Sequence, residues 1–276
     1  MKSQALPGQV VIITGGARGI GYATAKTLKH LGMRVAVGDV DETRLLEAER
    51  ELDLDAAGWL DVTDPESFGA FYDTVTDRLG APYALVNNAG VMPVGPTAEE
   101  PSEVARRMVD INIHGVITGT KLALDSMLPR RRGHIINVAS MAGEASVPGL
   151  ATYCGTKAAV IAFTDAVRLE HRTSGVEVSL VLPTFTNTEL VAGTQGPKGF
   201  RNAEPEQIAA AIAGLLAQPR PRVYVTKSMG WLLTAQRLMP ASWMESLGRR
   251  LGSDQMFLGG VDALARSAYE ERARKS

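Results

Sequence analysis

The sequence is poor in cysteine, in net charge and in long apolar runs, and each shortage excludes a class of protein. Its 276 residues contain one cysteine, Cys154, so the chain has no internal disulfide framework and fits a reducing compartment. A formal net charge of −1 gives no electrostatic reason to bind nucleic acid. No apolar run reaches the roughly 18 residues that a spanning helix needs, and the first residues lack the apolar core of a signal peptide. The sequence therefore predicts a soluble, cytoplasmic protein.

Short apolar runs alternate with longer amphipathic segments through most of the chain. The runs do not alternate with polar residues, which is typical of strands buried on both faces of a parallel sheet. They predict strands at 10–14, 34–38, 84–87, 134–139, 176–182 and 222–226, with a weaker one at 57–60. The amphipathic segments predict helices at 19–31, 41–52, 64–79, 99–126, 151–173 and 204–217. This order predicts an α/β fold, a doubly wound, Rossmann-like parallel sheet covered by helices.

The alternation of predicted strands and helices is interrupted in the last third of the chain. Residues 184–203 are rich in glycine and threonine and follow a strand, which is where a substrate lid is expected in an open parallel sheet. We expect a catalytic domain at 1–227 and a helical extension of the same domain at 228–276. The extension carries an apolar stripe at three- to four-residue spacing: Leu232, Ala235, Met239, Trp243, Leu247 and Leu251. Packing or a subunit contact, a wall over the substrate pocket, and contact with a membrane surface all fit such a stripe.

A glycine-rich turn follows the first strand. Gly15, Gly19 and Gly21 allow the backbone to turn tightly and to approach a pyrophosphate, and the N-terminus of the next helix supplies free N–H groups. The spacing is G-x-x-x-G-x-G, which differs from the common dinucleotide fingerprint. A plain strand-to-helix turn is the alternative.

Two residues near this turn bear on the choice of cofactor. Asp39 ends the second strand, where a carboxylate accepts hydrogen bonds from the ribose hydroxyls of adenosine and repels a 2′-phosphate. That repulsion is at most about 4 kcal/mol at 4 Å and an effective dielectric constant of 20. Arg18 points weakly towards NADP because an arginine can pair with a phosphate. The acid outweighs it, so we predict NAD.

The ends of the next two strands also border the expected cofactor groove. Asp61, followed by Val62, ends the weak strand and is able to accept the adenine amino group, or to be a turn or helix-capping aspartate. Asn87-Asn88-Ala89-Gly90 ends the following strand, and its residue types also suit a simple turn.

Three residues form a candidate catalytic set. Ser140 ends the strand at 134–139, and Tyr153 and Lys157 are four residues apart on one face of the next helix. Hydride transfer to a ketone leaves an alkoxide that needs a proton, and the reverse reaction needs a base. The pKa of an unperturbed tyrosine, about 10, is too high for an efficient base. We therefore predict that Lys157 lowers the pKa of Tyr153, while the Ser140 hydroxyl holds the substrate oxygen.

These residues together resemble the short-chain dehydrogenase/reductase family. The resemblance covers about residues 8–226 and is carried, in order, by TGGARGIG at 14–21, Asp39, LDV at 60–62, NNAG at 87–90, Asn112, Ser140 and YCGTK at 153–157. It implies that Asn112 holds a water in a proton relay through Lys157, and that Lys157 also holds the nicotinamide ribose. It also implies a homodimer or homotetramer formed through the helices near 99–126 and 151–173.

The resemblance implies the following cofactor contacts: Gly15, Arg18, Gly19, Ile20, Gly21, Asp39, Val40, Asp61, Val62, Asn88, Ala89, Gly90, Tyr153, Lys157, Pro183, Thr184, Thr186 and Thr188. Asp39 followed by the apolar Val40 is similar to the NAD-preferring members. The chain departs from the family at Thr184, where glycine usually follows Pro183, and this puts the backbone shape near the nicotinamide in doubt.

We expect reversible, metal-free hydride transfer between NAD and a secondary alcohol or ketone. Met92, Met141, Val147 and Phe185 suggest an apolar pocket, so the expected substrate is bulky and apolar: steroid-, retinol- or terpenoid-like. One alternative is an NADP-linked carbonyl reductase. The other is a regulator that binds the dinucleotide without turnover.

Overall fold

The computed structural model describes residues 6–194, 201–226, 256–259 and 261–275. Its centre is a seven-stranded parallel sheet with the order β3-β2-β1-β4-β5-β6-β7. The strands are β1 (Val10–Thr14), β2 (Arg34–Asp39), β3 (Ala56–Trp59), β4 (Ala84–Asn87), β5 (Gly133–Val138), β6 (Val176–Leu182) and β7 (Arg222–Tyr224). The strand order reverses between β1 and β4, so the carboxyl ends of these two strands open a crevice for a ligand.

Helices cover both faces of the sheet. They are α1 (Gly19–His30), α2 (Glu42–Leu52), α3 (Pro65–Leu79), α4 (Ser102–Val109), α5 (Gly115–Met127), α6 (Ala151–Glu170), α7 (Pro205–Ala217) and α8 (Ala263–Lys275). Successive residues of β1 alternate between the two layers: Val11 and Ile13 pack towards α1 and α7, whereas Val10 and Ile12 pack towards α3 and α5. The predicted doubly wound α/β fold is confirmed, and the central strands β1 and β4 are almost entirely apolar because both of their faces are buried.

Local capping fixes where several helices begin. The Asp64 side chain accepts a hydrogen bond from the Glu66 N–H at 2.9 Å, and Pro65 occupies the first helical position of α3. At α7, Glu204 and Gln207 form a reciprocal capping box. These caps lie where the sequence placed the helix starts at 64–79 and 204–217.

The helix predicted at 99–126 differs from the structure. The helix begins at Ser102, after a 3₁₀ turn at Thr97–Glu99, and a π turn at Asp110–His114 joins α4 to α5. The side chain of Asn112, in the middle of the π turn, bonds to the backbone of Val91 and to Thr156. The wider turn places Asn112 for these bonds, and such turns often mark functional sites.

The predicted apolar stripe at 232–251 lies outside the described residues. The described part of the C-terminal region contains α8, whose inner face packs onto the residues after β4 and β6. The division into 1–227 and 228–276 stays a prediction. Among the residues that the structure describes, no helix is long and apolar enough to cross a membrane.

Candidate active site

The turn between β1 and α1 folds closely onto the end of β4. Gly15 and Gly19 have φ angles of +63° and +54°, which favour glycine. A Cβ on Gly15 would lie 2.8 Å from the Ala89 Cα, and one on Gly21 would collide with the Gly15 carbonyl oxygen. The glycines predicted from the sequence are therefore needed for both the backbone conformation and the close approach to β4.

The N-terminus of α1 has the donors that a pyrophosphate needs. Arg18 is the N-cap residue, and its side chain makes no capping hydrogen bond, so it leaves the first N–H groups of the helix available to a ligand. A cavity of about 530 Å³ opens here between Arg18, Gly19 and the segment 187–194. A Cβ on Gly19 would lie 3.3 Å from Thr188 Cγ2, which shows how narrow the cradle is. The turn thus fits a dinucleotide phosphate.

Asp39 lies at the end of β2, beside this turn. Its Oδ2 accepts a hydrogen bond from the Ala17 N–H at 3.0 Å, and its Oδ1 accepts one from the Asp41 N–H at 3.1 Å. The residue is 9% exposed. Each carboxylate oxygen has a second lone pair, so the group can still accept bonds from a diol. Val40, the next residue, is half-buried.

Arg18 is held by two carboxylates. Its guanidinium pairs with Asp41 and, at 2.9 Å, with Glu189 of the segment that follows β6. Glu189 also pairs with Arg272 of α8. The two ion pairs of Glu189 connect the cofactor turn to the C-terminal helix across the cleft.

The predicted adenine contact at Asp61 is part of a turn. Its Oδ1 accepts hydrogen bonds from the Thr63 N–H at 2.8 Å and the Thr63 hydroxyl at 2.7 Å, and its Oδ2 lies 3.6 Å from the Arg107 guanidinium. Val62 packs under the backbone of Gly115. Within the chain, Asp61 therefore makes the hydrogen bonds of a turn aspartate, which was the alternative to the predicted adenine contact.

Asn88 fastens β4 to the glycine-rich turn. Its Nδ2 donates to the carbonyl oxygens of Thr14 at 3.0 Å and Gly15 at 2.9 Å. The Thr14 hydroxyl accepts the N–H groups of Asn88 and Ala89, both at 3.1 Å. Asn88 therefore shapes the cofactor turn through its side chain.

Ser140, Tyr153 and Lys157 meet at the carboxyl end of β5. Ser140 follows this strand, whereas Tyr153 and Lys157 lie one turn apart on α6. The Ser140 side chain lies close enough to Tyr153 to lower the pKa of its hydroxyl, against the larger effect of burial. Lys157 Nζ donates to the Val138 carbonyl oxygen at 3.1 Å and lies 5.7 Å from the centre of the Tyr153 ring. The structure thus brings the predicted set together.

Burial dominates the acid–base properties of this set. Burial raises the pKa of Tyr153 to about 12, against the opposing effect of the Ser140 side chain. Burial also lowers the pKa of Lys157 to about 8. The sequence predicted a lowered pKa for Tyr153; desolvation of the phenolate outweighs that effect in the chain itself.

Asn112 and Gly90 lie next to Lys157. The Asn112 Oδ1 accepts the Val91 N–H at 2.9 Å, and its Nδ2 donates to the Val91 carbonyl at 3.0 Å and to the Thr156 hydroxyl at 3.1 Å. A Cβ on Gly90 would lie 3.1 Å from Asn112 Oδ1 and 3.4 Å from Lys157 Nζ. The Asn112 amide therefore fixes the segment after β4 against α6.

The segment after β6 accommodates Thr184 without a left-handed backbone. Thr184 does not have a positive φ angle. Its hydroxyl lies 3.0 Å from the Thr226 hydroxyl, and the Thr186 hydroxyl donates to the Thr184 carbonyl at 2.8 Å. The Pro183 carbonyl accepts the Met141 N–H at 3.0 Å, which anchors the segment beside Ser140.

Sequence reasoning missed the residues that α8 and the segment before it add to the site. Phe257 packs against Phe185, with ring centres 5.6 Å apart, in the apolar cluster that contains Tyr153. Tyr269 accepts a hydrogen bond from the Met92 N–H at 2.7 Å. Arg266 is 2% exposed and binds three main-chain carbonyls. The only signal was the spacing of Arg266 and Tyr269 on one helical face.

Comparisons with known proteins agree with this geometry. The family model for short chain dehydrogenases matches residues 9–198. An uncharacterised oxidoreductase of Staphylococcus saprophyticus is 33% identical over 223 residues, which cover 76% of this chain and 91% of the relative. L-fucose dehydrogenase of Bos taurus is 35% identical over 221 residues, 78% of each chain.

Solved structures show the same fold. A short chain dehydrogenase/reductase from Burkholderia phymatum in complex with NAD has a TM-score of 0.78 at 23% identity, covering 84% of this chain and 93% of its own. An NAD⁺-bound xylitol dehydrogenase has a TM-score of 0.73 at 26% identity, covering 80% and 98%. This chain therefore belongs to the short-chain dehydrogenase family, as an oxidoreductase that acts on an alcohol or ketone with a nicotinamide dinucleotide.

Proposed function

We propose that the protein is an NAD-linked dehydrogenase of secondary alcohols that uses Tyr153 as its acid and base. The observation that carries this proposal is the meeting of Ser140, Tyr153 and Lys157 at the end of β5, beside a turn that fits a pyrophosphate. The nicotinamide, when bound, accepts or donates the hydride.

Side chains of the protein orient the substrate and transfer the proton. The Ser140 hydroxyl holds the substrate oxygen, and Tyr153 Oη takes its proton in oxidation and returns it in reduction. A phenolate is costly in this buried place, which is why the ammonium of Lys157 matters: it stabilises the negative charge close to the ring. We propose that Lys157 also holds a ribose hydroxyl; the bonds of Asn112 to Val91, beside Lys157, support this role by fixing the backbone there.

Three observations support NAD as the cofactor. Asp39 presents a carboxylate where the adenosine ribose would lie, and Arg18 is engaged by Asp41 and Glu189 instead of facing a 2′-phosphate. The two similar solved structures hold NAD. We propose that Gly15, Gly19, Ile20 and Gly21 bind the pyrophosphate and that Thr184, Thr186 and Thr188 lie along the nicotinamide half.

The walls next to Tyr153 are largely apolar. Met92, Leu150 and Phe257 are buried around it, with Phe185 and Leu190 partly buried beside them. We therefore propose a substrate with an apolar body. We also expect a homodimer or homotetramer in the cytoplasm.

The test is NADH absorbance in a panel of secondary alcohols. We expect turnover with NAD, at least about 100-fold slower with Tyr153→Phe, because that change removes the proton acceptor. Tyr22→Phe is the matched control, since the Tyr22 hydroxyl bonds to Glu51 on the outside of α1 and α2. NADP run in parallel tests the cofactor. Full activity of Tyr153→Phe would overturn the mechanism, and faster turnover with NADP would overturn the cofactor assignment.

A further inference from the structure

Tyr269 of α8 brings a second phenol to the active site. Its oxygen accepts the Met92 N–H at 2.7 Å, and Met92 belongs to the same buried cluster as Tyr153. Burial is the main cause that raises the pKa of Tyr269, and Tyr153 adds a smaller rise because the two phenols lie near each other. The sequence places these residues more than a hundred positions apart, and the fold brings them to one wall.

Arg266 fixes the position of this phenol. The guanidinium lies 4.8 Å from the centre of the Tyr269 ring and pairs with Glu270 at 2.6 Å. Its other N–H groups donate to three main-chain carbonyl oxygens, those of Met92, Leu190 and Ala192. A fully buried arginine with this many partners leaves α8 little freedom to move, so Tyr269 has a defined orientation.

Among the described residues, the hydroxyl of Tyr269 donates no hydrogen bond. Burial raises its pKa, so it stays protonated at neutral pH, and the Arg266 guanidinium partly opposes that rise. The bond from Met92 uses a lone pair of the oxygen and leaves the O–H proton unused. Within the described residues no atom accepts that proton.

We propose that Tyr269 is a substrate-recognition residue, whose O–H donates a hydrogen bond to a second oxygen of the substrate. The first oxygen is the one that Ser140 and Tyr153 hold. The substrate class is then a secondary alcohol, or its ketone, with an apolar body and a further hydroxyl or carbonyl oxygen. This inference rests on the proposed function and narrows the substrate within it.

The experiment compares ligands that differ by one oxygen. Cyclohexanol and the 1,2-, 1,3- and 1,4-cyclohexanediols are tested as substrates with NAD and as ligands of the enzyme–NADH complex, which cannot react with an alcohol. Binding is followed by NADH fluorescence. For wild type we expect at least one diol to bind about 10-fold more tightly than cyclohexanol. With Tyr269→Phe that preference disappears, while the affinity for cyclohexanol changes less than about 2-fold.

The controls distinguish a role of Tyr269 in substrate recognition from a purely structural role. Tyr22→Phe makes the same chemical change far from the site and keeps the preference. A loss of affinity for all four ligands alike in Tyr269→Phe shows a structural role only and overturns the proposal. So does a wild-type enzyme that binds no diol more tightly than cyclohexanol, a result that needs no variant. Binding without any NAD-linked oxidation contradicts the proposed function and leaves the recognition result standing.

Discussion

The two walls of the cleft are held together in different ways. The cofactor wall, formed by residues 14–21, 38–41 and 87–90, is fastened by main-chain groups and by the short side chains of Thr14, Asp39 and Asn88. The substrate wall, formed by residues 184–194, 256–259 and 261–273, is fastened by the long side chains of Arg266 and Glu189. The first wall depends on backbone shape, which glycine spacing encodes. The second depends on a few charged side chains, so single substitutions should loosen it.

Lys157 lies where the two walls meet, and its replacement should have the largest effect. Lys157→Met should lower activity at least about 100-fold because the phenolate loses its cation. It should also stabilise the fold. The shift of the Lys157 pKa from 10.5 to about 8 means that burial costs up to about 3 kcal/mol below pH 8.

The sign of this effect follows from proton binding. Between pH 8 and 10.5 the unfolded chain holds a proton on Lys157 that the folded chain lacks, so wild-type stability rises with pH across this window. Urea unfolding at pH 7 and pH 10 should show this rise in wild type and in the control Lys26→Met, whose side chain is exposed. A Lys157→Met protein with the wild-type rise would contradict the assignment.

Arg266→Met tests whether the substrate wall depends on one side chain. It strips Glu270 and three carbonyls of their partner, which should lower the free energy of unfolding by about 3 kcal/mol. We expect the KM for the alcohol to rise at least about 10-fold while the Kd for NADH changes less than about 3-fold. The control is Arg44→Met, which breaks an exposed pair with Glu47 worth under about 1 kcal/mol. Equal losses of NADH and alcohol affinity would show that the walls are not separable.

Asp39→Ala tests the cofactor wall in the same way. It removes the acceptor for the ribose hydroxyls and the charge that repels a 2′-phosphate. The ratio of NAD to NADP affinity should fall about 10- to 100-fold, with the KM for the alcohol unchanged. Equilibrium titration with both cofactors measures it, beside the exposed control Asp77→Ala. An unchanged ratio would mean that another residue sets the preference.

Glu189→Gln should give the smallest effect, and it probes the connection between the walls. Glu189 is about half exposed, so the loss of its pairs with Arg18 and Arg272 should cost less than about 1 kcal/mol. Arg18, then paired with Asp41 alone, should improve NADP affinity about 2- to 3-fold, and this gain should shrink in high salt. A gain that persists at high salt would point to a rearranged turn instead of a freed charge.

The fold and the cofactor wall could be predicted largely from the sequence. Both depend on local patterns: apolar runs mark the buried strands, and glycine spacing marks the turn. The π turn at Asp110–His114 could not be predicted from local sequence. Asn112, in its middle, bonds to Val91 and Thr156, which only the folded chain brings near.

The substrate wall escaped prediction for a related reason. Arg266 lies in a highly charged helix, where the sequence indicates a surface residue. In the structure it is buried and donates hydrogen bonds to the carbonyls of Met92 and Leu190. The backbone conformation at Thr184 could not be predicted either, because its hydroxyl bonds to that of Thr226, which is distant in sequence. Such partners are distant in sequence, and no short-range pattern identifies them.

The position of α8 along the chain has a consequence for synthesis. Every strand of the sheet and the whole cofactor turn precede Tyr224, whereas Tyr269 and Arg266 follow it. Domains start to fold while the ribosome is still adding about 5–20 residues per second. A nascent chain therefore contains the cofactor turn, Ser140 and Tyr153 seconds before α8 completes the substrate wall. We expect a chain cut short after β7 to keep the residues that hold the reacting oxygen and to lose the contacts that Tyr269 and Arg266 make.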